Sequence, residues 1–267
     1  MRGNISLRVV WVLFVAATIA GFSASSADAA MIVYQDNFDN DSIATNTGVG
    51  GGLDRYARQG DTWVDNGDLT GNSTGGNDRG NVYSLNSFDL SGGFSLEVSY
   101  TIDNIGASGA NRVNIGLIDA LPAEQNNTTY VTTFLASNLD KYGIGMNMTT
   151  DTGPQGLNFA DDTGAGSVTA LSNAQTISTG THTLLIEMDT ESNWSYSIDG
   201  APATTGTIAG DGFDLTRDYQ FFAYVQDYRY NKINISSVTL TTIPEPATMS
   251  LLVLGALGVL ARRKRRA

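Results

Sequence analysis

The sequence predicts an all-β protein, a jelly-roll β-sandwich, and three observations carry that expectation. Apolar residues recur at every second position in one segment after another, and between residues 30 and 242 they nowhere keep a helical period. These segments are short and are separated by runs of Gly, Asn, Asp, Ser and Thr, the residues that supply turns. Charged residues make up 16% of the chain, below the ~25% of an average soluble domain. Small polar side chains take their place, as they do on half-exposed strands.

Residues 1–29 precede the sandwich and read as a secretory signal. Arg2 and Arg8 lead into an apolar run from Val9 to Phe22, and Ala27-Asp28-Ala29 has the small-residue pattern of a cleavage site, so the mature chain starts at Ala30. The first strand is predicted over Ile32 to Phe38, followed by Asp39-Asn40-Asp41 and the glycines at 48 and 50–52. From Thr62 to Leu69 a hairpin is expected, because Asn66-Gly67 is the strongest two-residue turn signal. Asn81 to Asn86 reads as a strand. Phe94 to Asp103 is the clearest: Phe94, Leu96, Val98, Tyr100 and Ile102 alternate with Ser95, Glu97, Ser99, Thr101 and Asp103, one face dry and one wet.

The alternation continues at Val113, Ile115 and Leu117, at Tyr130 to Ala136 and at Tyr142 to Met148. Thr181 to Asp189 and Trp194 to Ile198 form an expected hairpin around Thr190–Asn193, with Asp199-Gly200 as the next turn. Gln220 to Gln226 is an aromatic strand. In Lys232 to Thr242 the apolar residues shift from odd positions, Ile233 and Ile235, to even ones, Val238 and Leu240. A β-bulge at Ser236-Ser237 is the way to keep both pairs on one face.

The order of three stretches adds a resemblance. His182 to Asp189, then Trp194 to Gly200, closed by Ile235 to Leu240, is similar to the late strands of concanavalin A-like and laminin-G-like domains. That resemblance implies a jelly roll but no single activity, because those folds serve lectins, glycosidases and passive adhesion alike.

The chain ends in three parts. Pro244-Glu245-Pro246 comes first, then an apolar run from Met249 to Leu260, then Arg262, Arg263, Lys264, Arg265 and Arg266. As a helix, Thr248 to Ala261 would cover about 21 Å, short of the ~30 Å of a bilayer core. The basic tail stays in the cytoplasm. This order resembles the PEP-CTERM sorting signal of Gram-negative bacteria. The resemblance implies delivery through the secretion machinery, a transient inner-membrane tether through the C-terminal helix, and processing by an exosortase-type enzyme. The destination is then the cell surface or an exopolysaccharide-rich matrix. The expected organisation is a signal peptide over 1–29, a sandwich over 30–242 and a sorting signal over 243–267.

Charge and composition exclude several functions. The chain as a whole carries −12, but residues 30–243 hold eight Lys and Arg against 25 Asp and Glu, a net −17. Such a body repels nucleic acid and anionic lipid. With no Cys there is no thiol nucleophile, disulfide or Cys-held zinc. His182 is the single histidine, which leaves one imidazole for any triad and excludes a multi-histidine metal site. It shares strand parity with Leu184, Ile186 and Met188, so a packed strand-end role is expected.

The candidate chemistry lies in acids and aromatics. Glu187-Met188-Asp189-Thr190-Glu191 is similar to the Glu-x-Asp-x-Glu signature of laminarinase-like retaining glycoside hydrolases, which would make Glu187 nucleophile and Glu191 acid/base, with Asp189 on the same strand face. Against it, Glu191 falls in an expected turn, so the sequence reading is non-enzymatic, with the hydrolase as the rival. Asp36, Asp39 and Asp41, or Asp161-Asp162, offer the hard oxygens that a structural Ca²⁺ takes, without matching the twelve-residue calcium loop; no other cofactor is expected. Polysaccharide binding would need aromatic faces beside amides and carboxylates. Tyr228 and Tyr230 beside Gln226 and Asp227 are the best such cluster, with Trp63 and Tyr130 next. A third reading is passive packing in the matrix, without any glycan contact.

Overall fold

The computed structural model describes residues 30–39, 48–58, 63–65, 67–72, 78–104, 112–119, 143–148, 154–160, 168–170, 175–176, 179–208, 213–227 and 232–243. The strands run, in chain order, β1 (Met31–Asp36), β2 (Leu53–Arg58), β3 (Trp63–Asp65), β4 (Leu69–Asn72), β5 (Asp78–Ser84), β6 (Phe88–Asp89), β7 (Phe94–Asn104), β8 (Arg112–Asp119) and β9 (Gly143–Met148). They continue with β10 (Pro154–Ala160), β11 (Val168–Ala170), β12 (Gln175–Thr176), β13 (Gly180–Met188), β14 (Asn193–Ile198), β15 (Thr204–Thr207), β16 (Asp218–Asp227) and β17 (Lys232–Thr242). Among the described residues there is no helix.

Two antiparallel sheets make a sandwich. The first has the order β15-β14-β13-β7-β17-β4-β3, with β1 also beside β17. The second runs β11-β10-β9-β8-β16-β5-β2, with β6 on β16 and β12 on β10. Strand β17 holds the first sheet together: β7 pairs along one side of it, while β4 and then β1 share the other. The expected bulge is there. Ile235 faces Tyr100 and Ser237 faces Ser99, so Ser236 is the extra residue. Ile233, Ile235, Val238 and Leu240 are consequently all buried on one face.

Between the sheets, alternate residues of β7 (Leu96, Val98, Tyr100) and β13 (Leu184, Ile186) meet Ile115 and Leu117 of β8, Met146 of β9 and Phe221 of β16, all at 0% exposure. Each such side chain contributes roughly 1.5–3 kcal/mol relative to an exposed one. The Tyr100 hydroxyl reaches across the core to Met146 Sδ at 3.5 Å, and the Tyr34 ring stacks on Phe221 at 5.8 Å.

The two outer faces differ. On the first sheet Glu97, Asp103 and Glu187 are exposed and Ser95, Ser99 and Thr101 half-buried. On the second, Tyr83, Asn114, Ile118, Phe222 and Tyr224 are no more than 1% exposed, so its central strands are covered on both sides.

Several boundaries depart from the sequence expectation. Strand β1 stops at Asp36, because the Asp36 carboxylate accepts the Phe38 N–H at 3.0 Å and turns the chain, leaving Phe38 buried at φ 55°. The Asn66-Gly67 hairpin exists, but Asp65 pairs with Leu69, so its loop has three residues with Gly67 at φ 80°. The strand expected at Asn81 to Asn86 lies three residues earlier at its start and ends at Ser84. Strands β2, β6, β10, β11, β12 and β15 carry no usable alternation. The strand expected at Tyr130 to Ala136 lies outside the described residues.

Candidate functional site

An open cleft of about 510 Å³ lies at the free end of the β13–β14 hairpin and along edge strand β15. Glu187, Asp189, Asn193, Trp194, Ser195 and Thr207 are among its lining residues. The hairpin forms because Leu184, Ile186 and Met188 pair with Ile198, Tyr196 and Trp194 on the core side. That pairing leaves Glu187 opposite Ser195 on the wet side.

Glu187, Asp189, Asn193, Ser195 and Thr207 at the cleft each have a local partner. Asp189 Oδ1 accepts the backbone N–H groups of Glu191 at 2.8 Å and Asn193 at 2.9 Å, and its Oδ2 accepts Asn193 Nδ2 at 2.8 Å. This carboxylate is the turn's internal anchor. Its slight burial acts to raise the pKa, but the hydrogen bonds from Asn193 and Glu191 together outweigh that and hold it below the usual carboxylate value. Glu187 Oε2 accepts the Ser195 hydroxyl at 2.8 Å, and Thr207 donates to Asn193 Oδ1 at 2.6 Å, tying β15 to the turn. Ser192 takes φ 61° at the tip, and its hydroxyl accepts the Phe213 N–H at 3.2 Å.

The three acids of the laminarinase-like signature therefore lie close in sequence but in different settings. Glu187 stands on the strand, Asp189 is bound into the turn, and Glu191 is exposed at the tip. A retaining pair needs two carboxyl groups about 5–5.5 Å apart across a sugar-sized gap, one of them protonated. Glu191, which would have to carry that proton, is exposed at the turn tip and does not face Glu187 along the strand, while Asp189 between them is held by three N–H bonds of its own turn.

Trp194 lies over Gly206: a Cβ at that glycine would fall 2.5 Å from the indole ring. The indole is 5% exposed and its N–H has no hydrogen-bond partner. Sequence parity alone could place Ser195 beside Glu187. The contributions of Thr205 and Thr207 could not be read, because β15 (Thr-Thr-Gly-Thr) has no apolar residue to mark it.

His182 has the packed strand-end setting expected of it. It is 8% exposed, its ring lies 5.7 Å from that of Tyr100, and Nδ1 is 2.7 Å from Asp199 Oδ2. The other oxygen of Asp199 accepts the Thr183 N–H at 2.8 Å. Burial acts to raise the pKa of Asp199, yet the hydrogen bonds from His182 and Thr183 and the His182 charge bring it below its ordinary value. Asp199 and Gly200 both have positive φ, 54° and 64°, the backbone of a tight hairpin turn.

The candidate ion site does not assemble among the described residues. Asp36 is 3% exposed and accepts from Phe38 N, while Asp39 accepts from Asn37 Nδ2 at 3.1 Å. No group of three or more His, Asp or Glu that could hold a metal occurs among the described residues. Asp41, Asp161 and Asp162 lie outside them, as do Tyr130, Tyr228 and Tyr230. Trp63 is in β3, opposite Gly71. Ala27 and Ala29 of the signal, and Pro244, Glu245, Pro246, Arg262, Arg263, Lys264, Arg265 and Arg266 of the tail, also lie outside. Among the described residues no helix is long and apolar enough to cross a membrane.

Comparison with known proteins separates the tail from the body. Residues 242–266 match the PEP-CTERM protein-sorting motif. A search of curated proteins finds no match. Among solved structures, the body is similar to a LamA variant from Zobellia galactanivorans in complex with laminaritriose and laminaritetraose, at 12% identity and TM-score 0.53 over 79% of this chain and 99% of that one. It is also similar to the CBM2 module of the evolved Dit of Lactobacillus casei BL23 phage J-1, at 11% identity and TM-score 0.52 over 80% and 96%. The Lotus tetragonolobus seed lectin gives 12% and 0.51 over 80% and 99%. At such identity the likeness is one of fold. The chain thus carries a PEP-CTERM protein-sorting motif, which implies an exported protein handled by an exosortase-type enzyme, and its body has the concanavalin A-like jelly-roll fold.

Proposed function

We propose that the chain is an exported, non-catalytic surface or extracellular-matrix protein that holds polysaccharide. It is tethered at the inner membrane before processing and released to the surface or matrix afterwards. The observation that carries the non-catalytic reading is the position of Glu191, the acid/base of the hydrolase signature, which is exposed at the tip of the turn. Asp189, between the two glutamates, is engaged by its own turn, its two oxygens accepting three N–H groups. What remains in the cleft is a set of hydroxyls, an amide and one carboxylate, groups that hold sugar hydroxyls without cleaving a glycosidic bond.

The test pairs turnover with retention. The body is incubated with a panel of neutral and acidic polysaccharides, and reducing ends and column retention are both measured. Retention without new reducing ends is the expected result. Cleavage of a β-glucan that disappears in Glu187→Gln would establish the hydrolase instead. No retention on any glycan would leave passive packing in the matrix as the role.

A further inference from the structure

The two segments that the sequence directs to the membrane leave the body at one corner. Met31, at the start of β1, lies opposite Thr242, at the end of β17, so chain entry and chain exit sit on neighbouring strands about 5 Å apart. Ile243 stays on the rim, its N–H donating to Gly93 O at 3.2 Å. The match to the sorting motif begins at Thr242, which is itself 7% exposed and paired with both Met31 and Phe94. No linker intervenes. An extended chain of three residues reaches no more than about 11 Å, so whatever acts on Glu245 works within that distance of the last paired residue.

The corner is also apolar. Among the described residues five large hydrophobic side chains are exposed, and three of them stand here: Met31 at 58%, Ile32 at 41% and Ile243 at 40%. Val49 and Leu85, the other two, follow along β1, since Val49 pairs with Gln35 and Leu85 N–H donates to Gly52 O in the same loop. Apolar side chains gathered where two processing sites converge mark a contact surface.

We propose that this corner is the docking surface for the membrane-embedded processing enzyme, so that folded body and sorting motif are recognised together. The enzyme cannot reach Glu245 without meeting the corner, because β17 has no slack to give. Peeling it back would uncover Leu240, at 0% exposure, and break ladders with β7 and β1 at once. A lipid surface fits less well. Met31, Ile32 and Ile243 bring none of the Trp, Tyr, Lys or Arg that anchor a surface among headgroups, and the body's net −17 repels anionic lipid.

The experiment uses the full chain co-expressed with the processing enzyme, with cleavage followed by pulse-chase. Met31→Ser and Ile32→Ser, both outside the matched motif, are combined as exposed changes that leave the unfolding midpoint in place. Processing is expected to slow about tenfold, the factor corresponding to about 1.4 kcal/mol of lost apolar contact. Wild-type rates in the serine variant would overturn the proposal. Vesicle binding to phosphatidylethanolamine with phosphatidylglycerol that the serine variant loses would give the patch to lipid. A change from dimer to monomer would give it to a second copy. Either result also overturns it. A wild-type chain that is never processed refutes the processing step itself, while leaving the glycan reading untouched.

Discussion

The outer faces of the two sheets were built under opposite conditions. On β7 of the first sheet, Ser95, Glu97, Ser99 and Thr101 meet water to varying degrees while their neighbours fill the core. On β8 and β16 of the second, Asn114, Gly116, Ile118, Phe222 and Tyr224 are as buried as the residues facing the core. A strand with one wet face must alternate, whereas a strand covered on both faces has no such obligation. The first sheet therefore tolerates change on its outside, and the second does not.

The largest test of that contrast is a matched pair. Phe222→Ala, on the outer face of the second sheet at 0% exposure, should cost about 3–5 kcal/mol. Glu97→Ala, on the outer face of the first, should stay within about 0.5 kcal/mol. Chemical denaturation of both variants measures the difference, and equal effects would erase the contrast. Next in size, Gly116→Ala would place a Cβ 2.2 Å from the Ile144 carbonyl oxygen and 2.5 Å from Gly145 Cα, both backbone atoms. Overpacking of that kind costs about 1–3 kcal/mol, read as a lowered midpoint.

A smaller effect separates two core tyrosines of the first sheet. Tyr196 is fully buried and its hydroxyl has no partner, whereas that of Tyr100 reaches Met146. Burial raises both phenol pKa values, so each stays neutral at ordinary pH. Tyr196→Phe should therefore stabilise the fold by about 1 kcal/mol, and Tyr100→Phe should not.

The smallest effect is on acid sensitivity. Asp189 and Asp199 have lowered pKa values in the folded chain. Their contribution is complete above the unfolded value of about 3.9 and is lost as pH falls through the folded value. Asp189→Asn should flatten the acid limb of a stability–pH profile and leave the neutral region's slope alone. Both carboxylates sit on the wet sheet, so a loss of stability on acidification traced instead to the second sheet would contradict the division drawn above.

The same contrast explains what could be read in advance. Strands β7, β13 and β17 stood out because each has one dry face, and even the bulge at Ser236 followed from a change of parity. Strand β10 begins at Pro154 and has Gly156 inside it, both weak strand residues, while β15 is three threonines and a glycine. Neither has a pattern to detect. At the cleft, Glu187 and Asp189 were visible as acids at alternate positions. That Asp189 would be drawn into its own turn depends on Ser192 adopting a left-handed conformation, which no residue type at that position announces.

Strand β17 binds β7 to β4 and β1, and it is the final strand of the body. Without it the first sheet falls into three pieces that share no ladder: β7-β13-β14-β15, the β3-β4 hairpin, and β1. No other strand bridges these pieces, so they cannot be joined before Lys232–Thr242 is in place. Closure of the first sheet is therefore the one step that depends on the end of the body being in place.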